Sequence, residues 1–170
     1  MPMTQGLLLV VSGPSGCGKG TVCDLLRKRN PDLAYSISAT TRKARPGEKD
    51  GVNYFFLSPD EFKRQAEQDG FLEQAQVFGQ YYATPRAWVE KQLARGKDVL
   101  LEIEPQGALQ VKTNYPAGIL LFLLPPSWAE LERRINERGT ESASEIAIRL
   151  QTAEKEIEQI CKYNYFVINN

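Results

Sequence analysis

The stretch VVSGPSGCGKGTV, residues 10–22, combines glycines with one lysine at a spacing that could bind phosphate. Gly13, Gly18 and Lys19 fit the pattern G-x-x-x-x-G-K, in which backbone N–H groups surround a phosphate and the lysine reaches the outer phosphates. The alternative is a loose glycine turn without a ligand. An apolar strand-like run before the loop and a helical pattern after it favour the phosphate-binding interpretation.

The position after the lysine departs from this pattern. A Ser or Thr hydroxyl that binds magnesium usually stands there, but this chain has Gly20 followed by Thr21. Mg²⁺ keeps much of its hydration shell in proteins, so phosphate oxygens and water can supply most of its ligands. Gly20 therefore does not argue against nucleotide chemistry.

Two further groups of charged residues suit a phosphate site. Arg42 and Arg45 share the loop SATTRKARPGE, and guanidinium groups bind phosphate in a bidentate manner, although each arginine alone could be a solvated surface charge. Glu102 and Glu104 in VLLEIE are predicted on one side of a strand at its carboxyl end, where open α/β sheets bind ligands. The alternative is an edge strand that emerges into water. A phosphate loop elsewhere in the chain favours the ligand-binding interpretation, because such a loop needs a nearby acid that interacts with magnesium.

The composition excludes several kinds of site. The 170 residues include no histidine, which removes Ser-His-Asp and Cys-His triads, imidazole bases and His-bearing metal sites. The 21 basic and 21 acidic residues cancel, which gives no support for binding to nucleic acid or to a membrane by charge. Three cysteines without metal-ligand spacing, and the lack of a secretory signal or long apolar span, predict a cytoplasmic protein. Phosphoryl transfer remains possible because it depends on positioning and charge stabilisation.

The order of elements predicts one domain with an open parallel α/β sheet. LLLVVS, DVLLEIE, GILLFLL and YFVIN are predicted as strands, and helical patterns lie between them. Ser58, Pro59 and Glu61 predict the start of a helix that continues to about Asp69. The C-terminal part contains two charged helical segments around a Gly-Thr hinge, and the region from about 34 to 86, with several short strands, is predicted to be an insertion.

Seven motifs, in this order and at the expected separations, resemble the guanylate kinase family: SGPSGCGKGT, SATTRKARPGE, GVNYFF, FLEQAQVFGQYYATP, EIEPQGA, PPS and RGTES. The resemblance runs from about residue 5 to the end of the chain. It implies an α/β P-loop nucleoside monophosphate kinase fold, with a parallel core sheet, helices on both faces, a small mixed GMP-binding insertion and a helical lid. The implied limits are 5–33, 87–126 and 150–170 for the core, about 34–86 for the insertion and about 127–149 for the lid.

The resemblance also implies the reaction, in which the γ-phosphoryl group of ATP, accompanied by Mg²⁺, passes to GMP or dGMP. The implied ATP-binding residues are Gly13, Pro14, Ser15, Gly16, Cys17, Gly18, Lys19, Gly20, Thr21 and Asn169. The residues implied for the GMP phosphate are Arg42, Arg45, Tyr54 and Tyr82. Those implied for the guanine are Ser38, Glu73, Thr84 and Glu104. Glu102 would lie towards the reacting phosphates. Lys19, Arg134, Arg138 and Arg149 would act in catalysis. Thr21 and Glu102 would hold magnesium through water.

The chain departs from the family pattern in three places. The family often has Asp where this chain has Glu104, so the carboxylate lies one methylene further out, and Pro105 removes a backbone donor. The family usually continues into a closing helix beyond the position of Asn170, so we expect the adenine side to be incomplete in this chain.

Two alternatives remain. One is a catalytically inactive binding module similar to the guanylate-kinase-like domains of scaffold proteins, which the intact glycine loop with Lys19 opposes. The other is a related small-molecule kinase with another acceptor. Ser38, Glu73 and Thr84 oppose it, since they suit a purine that offers N–H donors.

Overall fold

The computed structural model describes residues 5–77, 79–137 and 143–170. The strands are β1 (Leu8–Ser12), β2 (Ala34–Tyr35), β3 (Ala39–Thr40), β4 (Phe55–Phe56), β5 (Phe71–Val77), β6 (Gln80–Pro85), β7 (Val99–Glu102), β8 (Ile119–Leu124) and β9 (Tyr165–Ile168). The α-helices are α1 (Lys19–Arg29), α2 (Pro59–Glu67), α3 (Arg86–Ala94), α4 (Pro105–Asn114), α5 (Trp128–Asn136) and α6 (Ala143–Ile157). A 3₁₀ helix, Glu158–Lys162, follows α6.

The main sheet has the strand order β2-β7-β1-β8-β9, and every pair in it is parallel. Val10 and Val11 of the central strand point to opposite faces, and both are buried. Val10 belongs to a core cluster with residues of α3 and α4, whereas Val11 packs with Cys23 of α1. Helices therefore cover both faces, which confirms the predicted parallel α/β fold. In this register Val11 lies beside Glu102, so the glycine loop and Glu102 share one edge of the sheet.

A second sheet, of order β4-β3-β6-β5, is mixed, because β3 pairs in parallel with β4 and β6 runs antiparallel to its neighbours. Its small core includes Phe62 and Phe71, whose ring centroids lie 4.7 Å apart. Helix α2 begins with the predicted capping box, since the Ser58 hydroxyl accepts from the Glu61 N–H and the Glu61 carboxylate accepts from the Ser58 N–H. The helix ends two residues before the predicted Asp69, which adopts a φ of 55°.

The sequence pattern did not indicate helix α4. Its segment PQGALQVKTN lacks a strong apolar period and begins with proline. Pro105 stands in the first turn, where backbone N–H groups have no intrahelical acceptor, so the missing donor removes no helical hydrogen bond. Strand β7 ends at Glu102, and the strand period that predicted Glu102 and Glu104 on one side does not extend to Glu104, which is the N-cap of α4.

The last two α-helices pack on each other through Leu131, Ile135 and Ala153, all of them buried. The predicted hinge at Gly139 and Thr140, and the predicted catalytic Arg138, lie outside the described residues. Within the described residues, no helix is both long and apolar enough to cross a membrane.

Candidate active site

The glycine loop connects the central strand to α1 and is contacted from the C-terminal end of the chain. Gly18 is the N-cap of α1 and has a φ of 91°, which favours glycine. A Cβ at Gly18 would lie 2.5 Å from the Asn169 side-chain nitrogen, so a larger residue would also collide. The same Asn169 Nδ2 donates to the Cys17 carbonyl oxygen over 2.9 Å. The structure thus places Asn169 directly against the predicted phosphate loop.

The Lys19 ammonium group bridges the loop and the start of α4. Its Nζ donates to the Gly13 carbonyl oxygen over 2.6 Å and lies 3.2 Å from Glu104 Oε2. The Lys19 side chain is only 10% exposed, whereas that of Glu104 is 60% exposed. The ion pair is therefore open to water on the glutamate side, and a phosphate can compete for the lysine.

Two of the three arginines predicted to act in catalysis lie at this loop. Arg149 of α6 donates from Nη2 to the Ser15 hydroxyl over 2.5 Å. Arg134 of α5 donates from Nε to Glu130 Oε1 over 2.7 Å, and its Nη1 lies 3.9 Å from the position that a Cβ at Gly18 would take. Helices α5 and α6 therefore bring positive charge to the loop from one side.

A cavity of about 530 Å³ lies between the two sheets and the start of α4. It collects residues predicted for the acceptor: Ser38, Tyr54, Glu73, Tyr82, Glu102 and Glu104. The rings of Tyr54 and Tyr82 are 6.0 Å apart in an edge arrangement. Residues from six separate elements or loops thus meet at one surface, next to the glycine loop.

Glu73 is the most buried acid of this cavity, with 7% of its surface exposed. The hydroxyl of the fully buried Thr84 donates to its Oε1 over 2.7 Å. Burial raises the pKa of Glu73, and the hydrogen bonds from Thr84 act against this rise. A Cβ at Gly107 would lie 2.7 Å from Glu73 Oε2, so the α4 backbone leaves just enough room for the carboxylate.

The arginine loop holds its guanidinium group with an acid of the same loop. Arg42 donates from Nη1 and Nη2 to the two carboxylate oxygens of Glu48, over 3.0 and 2.9 Å. The same guanidinium lies 5.3 Å from the ring centre of Tyr54. Arg45 is exposed, and its backbone N–H also donates to Glu48. The Arg42 fork is thus already arranged for a bidentate anion beside the cavity.

Sequence reasoning missed three residues of the site. Tyr35 donates to Glu102, Gly107 makes room for Glu73, and Glu156 of α6 lines the same cavity as Glu104. Burial and the nearby Glu104 raise the pKa of Glu156 to about 7, while Lys19 acts in the opposite direction. Gly107 stands in the motif EIEPQGA and could have been noticed there, whereas Tyr35 and Glu156 carry no local signal.

Comparison with known proteins agrees with this geometry. The family description "Guanylate kinase" matches residues 5–170. The chain belongs to the guanylate kinase family. The guanylate kinase of Caldanaerobacter subterraneus subsp. tengcongensis is 56% identical over 166 residues, which are 98% of this chain and 81% of that protein. The guanylate kinase of Desulfitobacterium hafniense is 52% identical over 170 residues, which are 100% of this chain and 85% of that protein.

A solved structure supports the same assignment at the level of the fold. The crystal structure of guanylate kinase from Anaplasma phagocytophilum superimposes with a TM-score of 0.72 at 33% identity, covering 98% of this chain and 78% of that one. The resemblance drawn from the seven motifs is thereby confirmed, together with the P-loop nucleoside monophosphate kinase fold. These guanylate kinases give no support to the alternative of an inactive binding module.

Proposed function

We propose that this guanylate kinase transfers the γ-phosphoryl group of ATP to GMP and releases GDP and ADP. The observation that carries the proposal is the position of the acceptor cavity, which adjoins the glycine loop through the contact between Lys19 and Glu104. A donor phosphate on the loop and an acceptor phosphate in the cavity would therefore meet near Lys19. In-line phosphoryl transfer requires this placement more than it requires a proton-transfer group.

On the acceptor side, Glu73 would select guanine. Guanine presents N1–H and an exocyclic amine on one edge, and a carboxylate can accept from both, whereas adenine has an acceptor at N1. The Thr84 hydroxyl orients Glu73 by its bond to Oε1, and Ser38 lines the same cavity. Glu104 would provide a further contact to the amine once it leaves Lys19.

The GMP phosphate would bind to the arginine loop. Arg42 would exchange the Glu48 carboxylate for phosphate oxygens, since both anions suit the same guanidinium fork. Arg45 would add a second guanidinium, and the hydroxyls of Tyr54 and Tyr82 would donate from the cavity side. Residues 34–86 would then act as the GMP-binding insertion.

On the donor side, residues Gly13 to Thr21 would surround the ATP phosphates, and Asn169 would lie near the adenine. Lys19, Arg134 and Arg149 would neutralise the charge on the transferring group, because each lies at the loop or in contact with it. Arg138 is part of the same proposal from its sequence position. Residues 127–149 would form a lid that closes when both nucleotides are bound.

Mg²⁺ would accompany ATP, and the residues at the loop fit it. Glu102 Oε1 lies 3.6 Å from the position that a Cβ at Gly20 would take, so a carboxylate faces the place of the usual Ser or Thr side chain. Glu102 and Thr21 offer the oxygen ligands that Mg²⁺ prefers, here to its water molecules. In the described ranges no three His, Cys, Asp or Glu residues form a metal-binding group, which suits an ion held mainly by nucleotide and water. When bound, the ion would neutralise phosphate charge.

A cytoplasmic location remains a proposal from the sequence. Cys17 and Cys23 are buried, Cys161 is exposed, and all three are free thiols. Free thiols suit a reducing compartment.

A coupled assay that measures ADP formation with GMP, dGMP, AMP, UMP and dTMP tests the proposal. We expect activity with GMP to exceed that with the other bases, and Lys19→Met to lower turnover by about a hundredfold or more, because it removes a preorganised charge-stabilising donor. Lys63→Met is a matched control, since Lys63 is an exposed residue of α2 with one weak contact at 4.0 Å. Turnover of Lys19→Met equal to that of the control would reject the proposed role of the loop.

A further inference from the structure

Tyr35 connects the edge strand of the main sheet to Glu102. It lies in β2 beside Leu100 of β7, and its hydroxyl donates to Glu102 Oε2 over 2.8 Å. The Arg27 guanidinium of α1 lies 4.3 Å above the centre of the Tyr35 ring. The ring is therefore held by its strand on one side and by α1 on the other, so its hydroxyl has a defined direction.

The second oxygen of Glu102 points towards the glycine loop. Among the described residues, its Oε1 is the only atom within 4 Å of the position that a Cβ at Gly20 would take, apart from the neighbouring residues and the helix's own backbone, at a distance of 3.6 Å. Tyr35 and Glu102 also line a second cavity, of about 250 Å³, together with the acceptor residues Ser38, Tyr54 and Thr84. The carboxylate thus extends from Tyr35 to the first turn of α1, between the proposed donor and acceptor sites.

We propose that Tyr35 is a positioning residue, whose hydroxyl holds the Glu102 carboxylate towards Gly20 so that this carboxylate orients water of the magnesium–nucleotide complex in place of the missing Ser or Thr hydroxyl. The glutamate side chain is flexible, so a hydrogen bond that holds Oε2 is needed to keep Oε1 directed towards the loop. The inference rests on the proposed function. The simpler alternative is that Tyr35 only packs the edge of the sheet.

Tyr35→Phe separates these two roles, since it keeps the ring under Arg27 and removes only the hydroxyl. Partners behind a metal-site ligand typically contribute about 10- to 100-fold in affinity or activity. We expect about a tenfold weaker affinity for Mn²⁺ in the complex with β,γ-methylene-ATP, measured by electron paramagnetic resonance. We also expect about a tenfold lower kcat, with KM for GMP within about twofold of wild type. Tyr81→Phe, an exposed tyrosine of the second sheet, is the matched control.

Two further variants test whether the effect passes through Glu102. In a Glu102→Gln background, Tyr35→Phe should change the Mn²⁺ affinity no further. Gly20→Ser supplies a hydroxyl at the usual position, and in its background Tyr35→Phe should have little effect.

Three results would overturn the inference. The first is a Mn²⁺ affinity of Tyr35→Phe equal to that of the Tyr81→Phe control, and the second is a full Tyr35→Phe effect that persists in the Glu102→Gln or Gly20→Ser background. The third is weakened GMP binding as the only change. The Mn²⁺ measurement needs no GMP and no turnover. Failure to phosphorylate GMP would therefore reject the proposed function without deciding the role of Tyr35.

Discussion

Glu73→Gln is the most direct test of how the protein would choose its base. The change keeps the shape of a side chain that is 7% exposed, and the amide oxygen can still accept from Thr84. The amide NH₂ would then take the place of Oε2, where the guanine N1–H and amine of the proposed complex would need an acceptor. A donor would face a donor, so the guanine edge would lose at least one hydrogen bond to a charged group.

The size of the effect follows from this contact. A hydrogen bond to a charged group contributes about 1.5–3 kcal/mol, and about 1.4 kcal/mol corresponds to a tenfold change. We therefore expect kcat/KM for GMP to fall by about 10- to 100-fold. AMP offers an acceptor at N1, which the amide can satisfy, so kcat/KM for AMP should not fall. Burial already disfavours the charged form of Glu73, so the urea midpoint of the neutral variant should be no lower than that of wild type.

The assay compares kcat/KM for GMP and AMP in wild type and in Glu73→Gln. Glu67→Gln is the matched control, because it makes the same charge change at an exposed end of α2. The ratio of the two values should fall by at least about tenfold in Glu73→Gln and stay constant in the control. An unaltered ratio in Glu73→Gln would remove this residue from the guanine site.

Three other changes give distinct expectations. Glu104→Gln removes the ion pair with Lys19 and should strengthen binding of β,γ-methylene-ATP by up to about fivefold at low salt, because an ion pair this exposed contributes at most about 1 kcal/mol. Calorimetry that shows weaker binding than in a Glu154→Gln control would contradict this expectation. With the pKa of Glu156 raised to about 7, the folded state binds a proton more tightly than the unfolded state, so the free energy of unfolding should fall as pH rises from about 5 to about 7. In urea titrations, the decline of the unfolding free energy with pH should be smaller in Glu156→Gln than in wild type. An unchanged decline would argue against a contribution of Glu156 to the pH dependence. Leu131→Ala should lower the free energy of unfolding by about 2–5 kcal/mol, since Leu131 is fully buried where α5 packs on α6. A loss below about 1 kcal/mol would show that the packing of these helices does not depend on Leu131.

Local patterns predicted the elements whose formation depends on neighbouring residues. The glycine loop, the buried run of β1 and the capping box at Ser58 each carry their signal within a few residues, and the structure confirms them. Helix α4 was missed because its stability comes from packing Ala108 and Val111 into the core of the main sheet rather than from a strong apolar period.

The sequence by itself determined that the chain has a glycine loop between a buried strand and a helix, and the seven motifs determined its family. Only the tertiary structure decided which atoms face each other. Tyr35 meets Glu102 from 67 positions away, Lys19 meets Glu104 from 85, and Arg149 meets Ser15 from 134. A local pattern contains the spacing of residues along one element, but it does not contain the register of strands or the docking of helices. The pKa of Glu73 and the direction of Glu102 depend on that register and docking, because burial and hydrogen-bond partners come from distant parts of the chain.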